Sequence, residues 1–457
     1  MPDTEIKTTE DRNAPTSDVL LLFAVVLFGL CVRGGSPSGL LALVGTILLV
    51  VAAVFMKHDA QVLTDARSME TRLALGVVLF GALGALGWSR SSIGGTTAVL
   101  EVLPGVAWII LGLFIHLARP KHVRFAKTAI AGITLTLTAF LGVVHIVATH
   151  GMSFDVLFLH REAAHALTQG LNPYTDAVSV PNGAPTAAPD EMITGYVYPP
   201  IPLLFYSIGE WVFSDARYVS LLAFLMFLGV IAIQAVRRPG KGGVLTLLLM
   251  ASIPGWPLVL RAAWIEPLTL ALAAAAFAFW ARPVLSSVFL GMTLASKQYF
   301  AVTSPLLAVF RGRYWVRRAL WAVLLVALTL GSALILNAGA FWESAVAFHM
   351  GTGSRADSVN LVGLLASFGI DWGPPFLVPL ATGLVGASWA GYRTSRKSQF
   401  FMTLALALAA SFMVSAQAFA NYWFVIAGIL GLVLLETTAP ETEANEPESL
   451  QSADYVS

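Results

Sequence analysis

A single cysteine, Cys31, stands in 457 residues, so no disulfide can form within the chain. It lies in an apolar stretch, where it reads as a small buried hydrophobe. Charge is equally scarce: Asp, Glu, Lys and Arg make up 12% of the residues, against roughly 25% in soluble domains. The net charge of +1 comes from basic residues scattered in short segments, which gives nucleic acid no patch to bind. No P-loop, dinucleotide fingerprint or G-x-S-x-G is present, so ATP-driven transport and serine hydrolysis lack a motif. There is no α/β alternation that could hold a soluble nucleotide-sugar domain. No cleavable signal is visible either, because the first 17 residues are polar and no A-x-A site follows the first apolar run.

What is abundant is hydrophobicity. Apolar residues make up 57% of the chain and mean hydropathy is +0.77, the composition of an integral membrane protein. Apolar runs predict spans over Val19–Val32, Gly39–Met56, Leu73–Trp88, Val99–Ala118, Phe125–Thr149, Pro199–Phe213 and Tyr218–Val236. The series continues over Val244–Leu260, Trp264–Ala281, Val284–Phe310, Ala319–Asn337, Phe376–Tyr392, Phe400–Phe419 and Tyr422–Leu435. The expected fold is an all-α polytopic bundle of about 13–14 transmembrane helices. Val284–Phe310 is too long for one straight span, and Ser296-Lys297-Gln298 predicts a break within it. The chain divides into a polar tail (1–17), a four-span segment (18–118), a main membrane domain (119–435) and an acidic tail (436–457) without apolar period.

Basic residues collect in cytoplasmic loops. Lys57, Arg67 and Arg72 follow the second span, and Arg119, Lys121, Arg124 and Lys127 flank the link after the fourth. Arg311, Arg313, Arg317 and Arg318 follow the tenth, and Arg393, Arg396 and Lys397 the twelfth. If every span crosses, all four groups share one face, both termini are cytoplasmic, and the long connections 150–198 and 338–375 lie outside. Arg237, Arg238 and Lys241 then fall on the outer side, so either that loop is an exception or Pro199–Phe213 does not cross; the fourteen-span count is kept because skipping one span would put later basic loops outside.

The first outer connection is the most informative segment. Asp155 follows the end of an apolar span by a few residues. Asp155–Gln169 predicts a helix lying on the membrane, with Val156, Leu157, Leu159, Ala163, Ala164 and Leu167 as apolar surface. Asp155, Glu162 and His165 can share its other face. Gly170 stops it, Asn172-Pro173-Tyr174 turns the chain, and Tyr196-Val197-Tyr198-Pro199-Pro200 leads back into the bilayer. The tyrosines alone would suit an aromatic belt.

The ordered pattern D-x(5)-R-x-A-A-x-A-L-x-x-G-L-N-P-Y followed by Y-x-Y-P-P resembles the first outer loop of the GT-C superfamily of membrane glycosyltransferases. The likeness is to its bacterial, mannosyltransferase-like branch, and it covers about Phe125 to Tyr422, with AAWIEPL (262–268), LASKQYF (294–300) and RADSVNLVGLL (355–365) as further support. The resemblance implies a GT-C-like bundle in the bacterial plasma membrane and transfer of a hexose or pentose from a polyprenyl-phosphate donor to a lipid or glycan acceptor, with inversion. It implies Asp155 as the catalytic acid residue, and no cofactor. Many relatives carry two adjacent acids here, whereas this chain has Asp155 alone, and its first four spans have no counterpart in the pattern.

The donor chemistry needs a base, for which Asp155 suits, and cations for the departing phosphate. Arg355 in the second outer loop can hold phosphate oxygens bidentately, or pair locally with Asp357. Lys297 in a helix break is an ionisable residue at membrane depth, or snorkels to an interface. Glu266 can contact sugar hydroxyls, or favour a helix N-terminus. Glu162, Tyr174, Tyr198 and Gln298 complete the candidate substrate contacts, with His349, Asn360, Gln417, Asn421 and Tyr422 weaker. His160 and His165 lack zinc-ligand spacing with Asp155, so no metal site is assigned. Two other classes compete: a transporter or flippase of lipid-linked sugars, and a non-catalytic envelope-assembly subunit. Transporters show paired halves with matching broken helices, whereas this chain has one broken helix and two unequal outer loops.

Overall fold

In the computed structural model, the described residues are 66–87, 95–119, 122–151, 154–179, 193–253, 255–312, 314–351, 353, 358–370, 372–391 and 396–437. The first two expected spans, Arg355 and both chain ends therefore lie outside the described residues. All regular elements among the described residues are helical, and the only strand-like pairing is an isolated antiparallel bridge, Ser179 to Thr194. In chain order the helices are α1 (Ala66–Gly87), α2 (Gly95–Leu117), α3 (Val123–Ala148), α4 (Asp155–Thr168), α5 (Pro200–Phe213), α6 (Arg217–Arg237), α7 (Gly242–Ala251) and α8 (Trp256–Arg261). They continue as α9 (Glu266–Ala278), α10 (Pro283–Leu294), a 3-10 segment (Gln298–Thr303), α11 (Pro305–Val309), α12 (Trp315–Trp342), α13 (Phe348–Gly351), α14 (Leu361–Ser367), α15 (Leu377–Gly391), α16 (Lys397–Met413) and α17 (Ala420–Thr437).

Burial sorts these helices. α7 is buried along its whole length and α9 from Glu266 to Phe277, so both sit at the centre of the bundle. Their all-round apolar sequences leave no polar face to turn outward. α12 is the opposite case. Only Arg318, Ala322, Ala333 and Phe341 are buried on it, and Ile335 is 87% exposed. An outward face so apolar suits hydrocarbon rather than water. Among the described residues, three helices are long and apolar enough to cross a membrane: α3, α6, and Trp315–Gly351, which joins α12 to α13 through a π-turn at Glu343–Ala347. The expected break in Val284–Phe310 is present, since α10 ends at Leu294 and Lys297 is fully extended (φ −154°, ψ 143°). Val244–Leu260, expected as one span, is divided into α7 and α8, with Gly255 at φ +104° beginning the second helix.

Side-chain contacts define two ends of the bundle. At one end the Lys241 amide donates to Glu70 Oε1 at 2.9 Å and its ammonium to the His116 carbonyl at 2.6 Å. There too Lys127 donates to the Arg238 carbonyl, Arg238 to the Leu435 carbonyl, and Lys397 pairs with Glu436 at 2.7 Å. At the other end Arg217 joins the start of α6 to the end of α3, its Nη1 donating to the Thr149 carbonyl (3.2 Å) and hydroxyl (2.7 Å).

That contact corrects the expected order of crossings. α6 begins where α3 ends, so α5, which lies between them in sequence, starts and finishes at the same end of the bundle. The 237–241 group consequently joins Lys127 and Lys397 at the basic end and is no exception. Asp215 holds Arg217 in place by accepting from Nε at 2.9 Å and from Nη2 at 2.6 Å.

Candidate functional site

The loop end carries the site. Phe154 is extended (φ −117°, ψ 142°) and Asp155 opens α4, where its Oδ1 accepts from the Val156 amide at 2.7 Å. A carboxylate in a first turn is favoured by the helix dipole. The Asp155 side chain is half-buried, while α4 turns Val156, Leu157, Leu159, Ala163, Ala164 and Ala166 inward together with His160. Gly170, at φ +72°, ends the helix in the left-handed conformation that a side chain would strain. Asn172 Oδ1 then accepts from the Tyr174 amide at 3.0 Å and closes the turn.

His160 ties α4 to the loop before α9. Its Nε2 lies 3.1 Å from the Ala263 carbonyl and its Nδ1 3.0 Å from the Tyr196 hydroxyl. A carbonyl can only accept, so Nε2 carries the proton and Nδ1 accepts from Tyr196. The ring stacks on Tyr206 at 4.0 Å, nearly parallel. Burial drives its pKa down to about 3, against a partial upward pull from the Ala263 carbonyl, so the ring is neutral. Ala263 sits at φ +55°, a conformation that costs a non-glycine residue about 1–3 kcal/mol and gathers at functional sites. Tyr206 donates to the next carbonyl, Trp264, at 3.1 Å.

The tyrosines expected at headgroup depth face inward instead. Tyr196 and Tyr198 are buried, and Tyr174 donates its hydroxyl to the Tyr198 carbonyl at 3.1 Å. Gly195, at φ +79°, allows this packing: a Cβ there would come within 2.7 Å of Ser344 and 2.8 Å of the Tyr174 carbonyl. Burial pushes the Tyr198 hydroxyl well up, and the neighbouring charges of Asp155 and Glu266 add to the effect. Tyr198 is thus within electrostatic reach of both carboxylates.

Glu266 is the first residue of α9 and is fully buried. Lys297, from the break after α10, forms an ion pair with its Oε1, and Asn421 of α17 donates to the same oxygen at 2.8 Å. The Lys297 ammonium lies 4.6 Å from the ring centroid of Tyr422, 5.1 Å from Tyr299 and 5.8 Å from Tyr198. It is therefore interior, and the snorkelling alternative does not apply. Beside it Gln298 Nε2 donates to the Val197 carbonyl at 2.5 Å and the Ala345 carbonyl at 2.8 Å, and His349 Nε2 meets the same Val197 carbonyl at 2.9 Å. Three oxygens in this nest are buried without a hydrogen-bond partner: Glu266 Oε2, Asn421 Oδ1 and Tyr299 Oη. Each such orphan typically costs about 1–3 kcal/mol.

The structure therefore draws together Tyr198, Glu266, Lys297, Gln298 and His349, with Asp155 close enough for its charge to act on Tyr198. Glu162 is half-buried on α4, about 10 Å further along the helix at 1.5 Å per residue. Tyr174 holds the loop through its bond to Tyr198. Asn360 is occupied structurally: it caps α14 by accepting from the Gly363 amide at 2.8 Å and donates to the Phe412 carbonyl at 3.0 Å. Gln417 donates to the Gly353 carbonyl. Arg355 and Asp357 lie outside the described residues. No group of three His, Cys, Asp or Glu side chains among the described residues could hold a metal ion.

Tyr206, Tyr299 and Arg217 were not singled out from the sequence, and His160 was considered there only as a zinc ligand. The polarity of His160 within the apolar face of α4 was the one available signal, since a buried imidazole needs partners. The chain matches no described protein family, no curated protein and no solved structure.

Proposed function

We propose that this chain is a polytopic membrane glycosyltransferase with a GT-C-like arrangement, its site on the extracytoplasmic face. One observation carries the reading: a half-buried carboxylate, Asp155, opens an interfacial helix beside a buried, aromatic-lined Glu266–Lys297 pair. The basic end of the bundle is the cytoplasmic face by the distribution of Lys and Arg. With α5 returning to the end where it began, and 284–310 passing once on each side of its break so that Phe310 returns to Trp280 and Phe400, the whole chain keeps an even count of about fourteen spans.

The donor is a sugar on a polyprenyl phosphate, which needs a lipid-facing bundle and no soluble nucleotide domain. Asp155 takes the proton of the acceptor hydroxyl. The acceptor oxygen forms its bond to the anomeric carbon as the bond to the phosphate oxygen breaks, with inversion, and that electron pair leaves on the phosphate. Arg355 holds the phosphate oxygens, aided by Lys297. Lys297 has three N–H donors and gives one to Glu266, so the others remain for substrate. The experiment is transfer from a radiolabelled polyprenyl-phosphate hexose or pentose by purified protein in liposomes, with the Asp155 carboxylate intact or replaced.

A further inference from the structure

Three orphaned oxygens lie on residues that surround Lys297. Glu266 Oε1 and Asn421 Nδ2 touch at 2.8 Å, so the free oxygens of the carboxylate and the amide flank one contact. The ring of Tyr299 lies 5.1 Å from the ammonium that Glu266 binds, and its hydroxyl is the third orphan. Two of the three are pure acceptors and the third both accepts and donates. What completes them must bring at least two donor protons, close together.

Charge narrows the choice. The Glu266 carboxylate repels an anion, and the Lys297 ammonium already occupies the space enclosed by Tyr198, Tyr299 and Tyr422, which disfavours a second cation. An apolar group would leave the orphans unsatisfied. A neutral molecule with adjacent hydroxyls and a C–H face to lie on a tyrosine ring meets every condition. We propose that Glu266 Oε2, Asn421 Oδ1 and Tyr299 Oη form a subsite for two neighbouring hydroxyls of a sugar ring, and that it selects donors by the configuration at those two carbons. This rests on the glycosyltransferase reading and adds its specificity determinants. Lys297 acts here as a positioning residue, by fixing the Glu266 carboxylate.

Tyr299→Phe is the decisive variant, because the oxygen it deletes has no partner within the protein. The probes are decaprenyl phosphate and its mannosyl, glucosyl and galactosyl esters, with binding measured in nanodiscs. In wild type at least one hexosyl lipid binds more tightly than unsubstituted decaprenyl phosphate, and the three hexoses differ among themselves. Tyr299→Phe reduces that preference about tenfold, the loss expected for one hydrogen bond, leaves decaprenyl phosphate binding unchanged, and melts no lower than wild type. Asn421→Leu reduces the preference as well. Retention of the full hexose preference by Tyr299→Phe, or equal binding of all four lipids by wild type, overturns the subsite. Transfer assays separate the two claims: hexose-dependent binding without any transfer removes the glycosyltransferase reading alone, and transfer that ignores hexose configuration removes the subsite alone.

Discussion

Replacing Arg217 by Met should destabilise the bundle severely, although the residue lies outside the candidate site. Its guanidinium donates five hydrogen bonds: three to the Asp215 carboxylate at 2.6–3.1 Å and two to Thr149 at 2.7 and 3.2 Å. The two side chains are 2% and 7% exposed. Truncating one partner of a buried pair leaves an uncompensated charge, a loss of about 3–5 kcal/mol, against about 0.2–1 kcal/mol for an exposed pair. Equilibrium unfolding in mixed dodecyl maltoside and SDS micelles, followed by tryptophan fluorescence, measures it. Arg217→Met with Asp215→Asn should recover a large part of the deficit, because the stranded carboxylate is then gone. A loss below about 1 kcal/mol for the single variant would refute the claim that this contact fixes the start of α6 to the end of α3.

Two further expectations follow. In a Cys31→Ala background, Pro239→Cys and Arg311→Cys should react with an impermeant maleimide from one face and Gln169→Cys from the other; labelling of Pro239→Cys with Gln169→Cys would mean that α5 crosses. His160, neutral with a pKa lowered to about 3, binds a proton more readily when unfolded, so stability is full above about pH 6.5 and falls as the pH drops toward 3, by up to about 1.4 kcal/mol per unit. His160→Gln should flatten that part of the melting curve, and an unchanged acid limb would remove His160 as its source.

Local signals made much of the fold legible. α4 lies one residue from its expected end because an acid, an apolar stripe and Gly170 mark its limits. The break at Lys297 was readable because Ser-Lys-Gln cannot continue a lipid-facing helix. Asn337, the expected end of a span, is where α12 kinks (φ −167°). Hidden from sequence were relations between distant segments. PIPLLFYSIGEWVF has the hydropathy of a crossing helix; the misplaced basic group at 237–241 raises the alternative that it does not cross, and the reach of Arg217 back to Thr149 decides for it. Glu266 and Lys297 were each legible as candidates, but their pairing across 31 positions was not, nor was the approach of Asn421 across 155. The tyrosines of Y-x-Y-P-P read as interfacial anchors because hydropathy cannot tell a ring at the headgroups from one packed under a loop helix.

Asp155 is the proposed base for the acceptor hydroxyl, and Asp155→Asn tests that role. The variant preserves shape and the acceptor for the Val156 amide but cannot take a proton near neutral pH. Purified wild type and variant, reconstituted in defined lipid, are compared for transfer from a radiolabelled polyprenyl-phosphate sugar and for binding of the same donor. Insertion and donor binding should be unchanged, with transfer lower by about 10²–10⁴-fold, the usual loss on removing a general base. Transfer by Asp155→Asn at the wild-type rate would contradict that role.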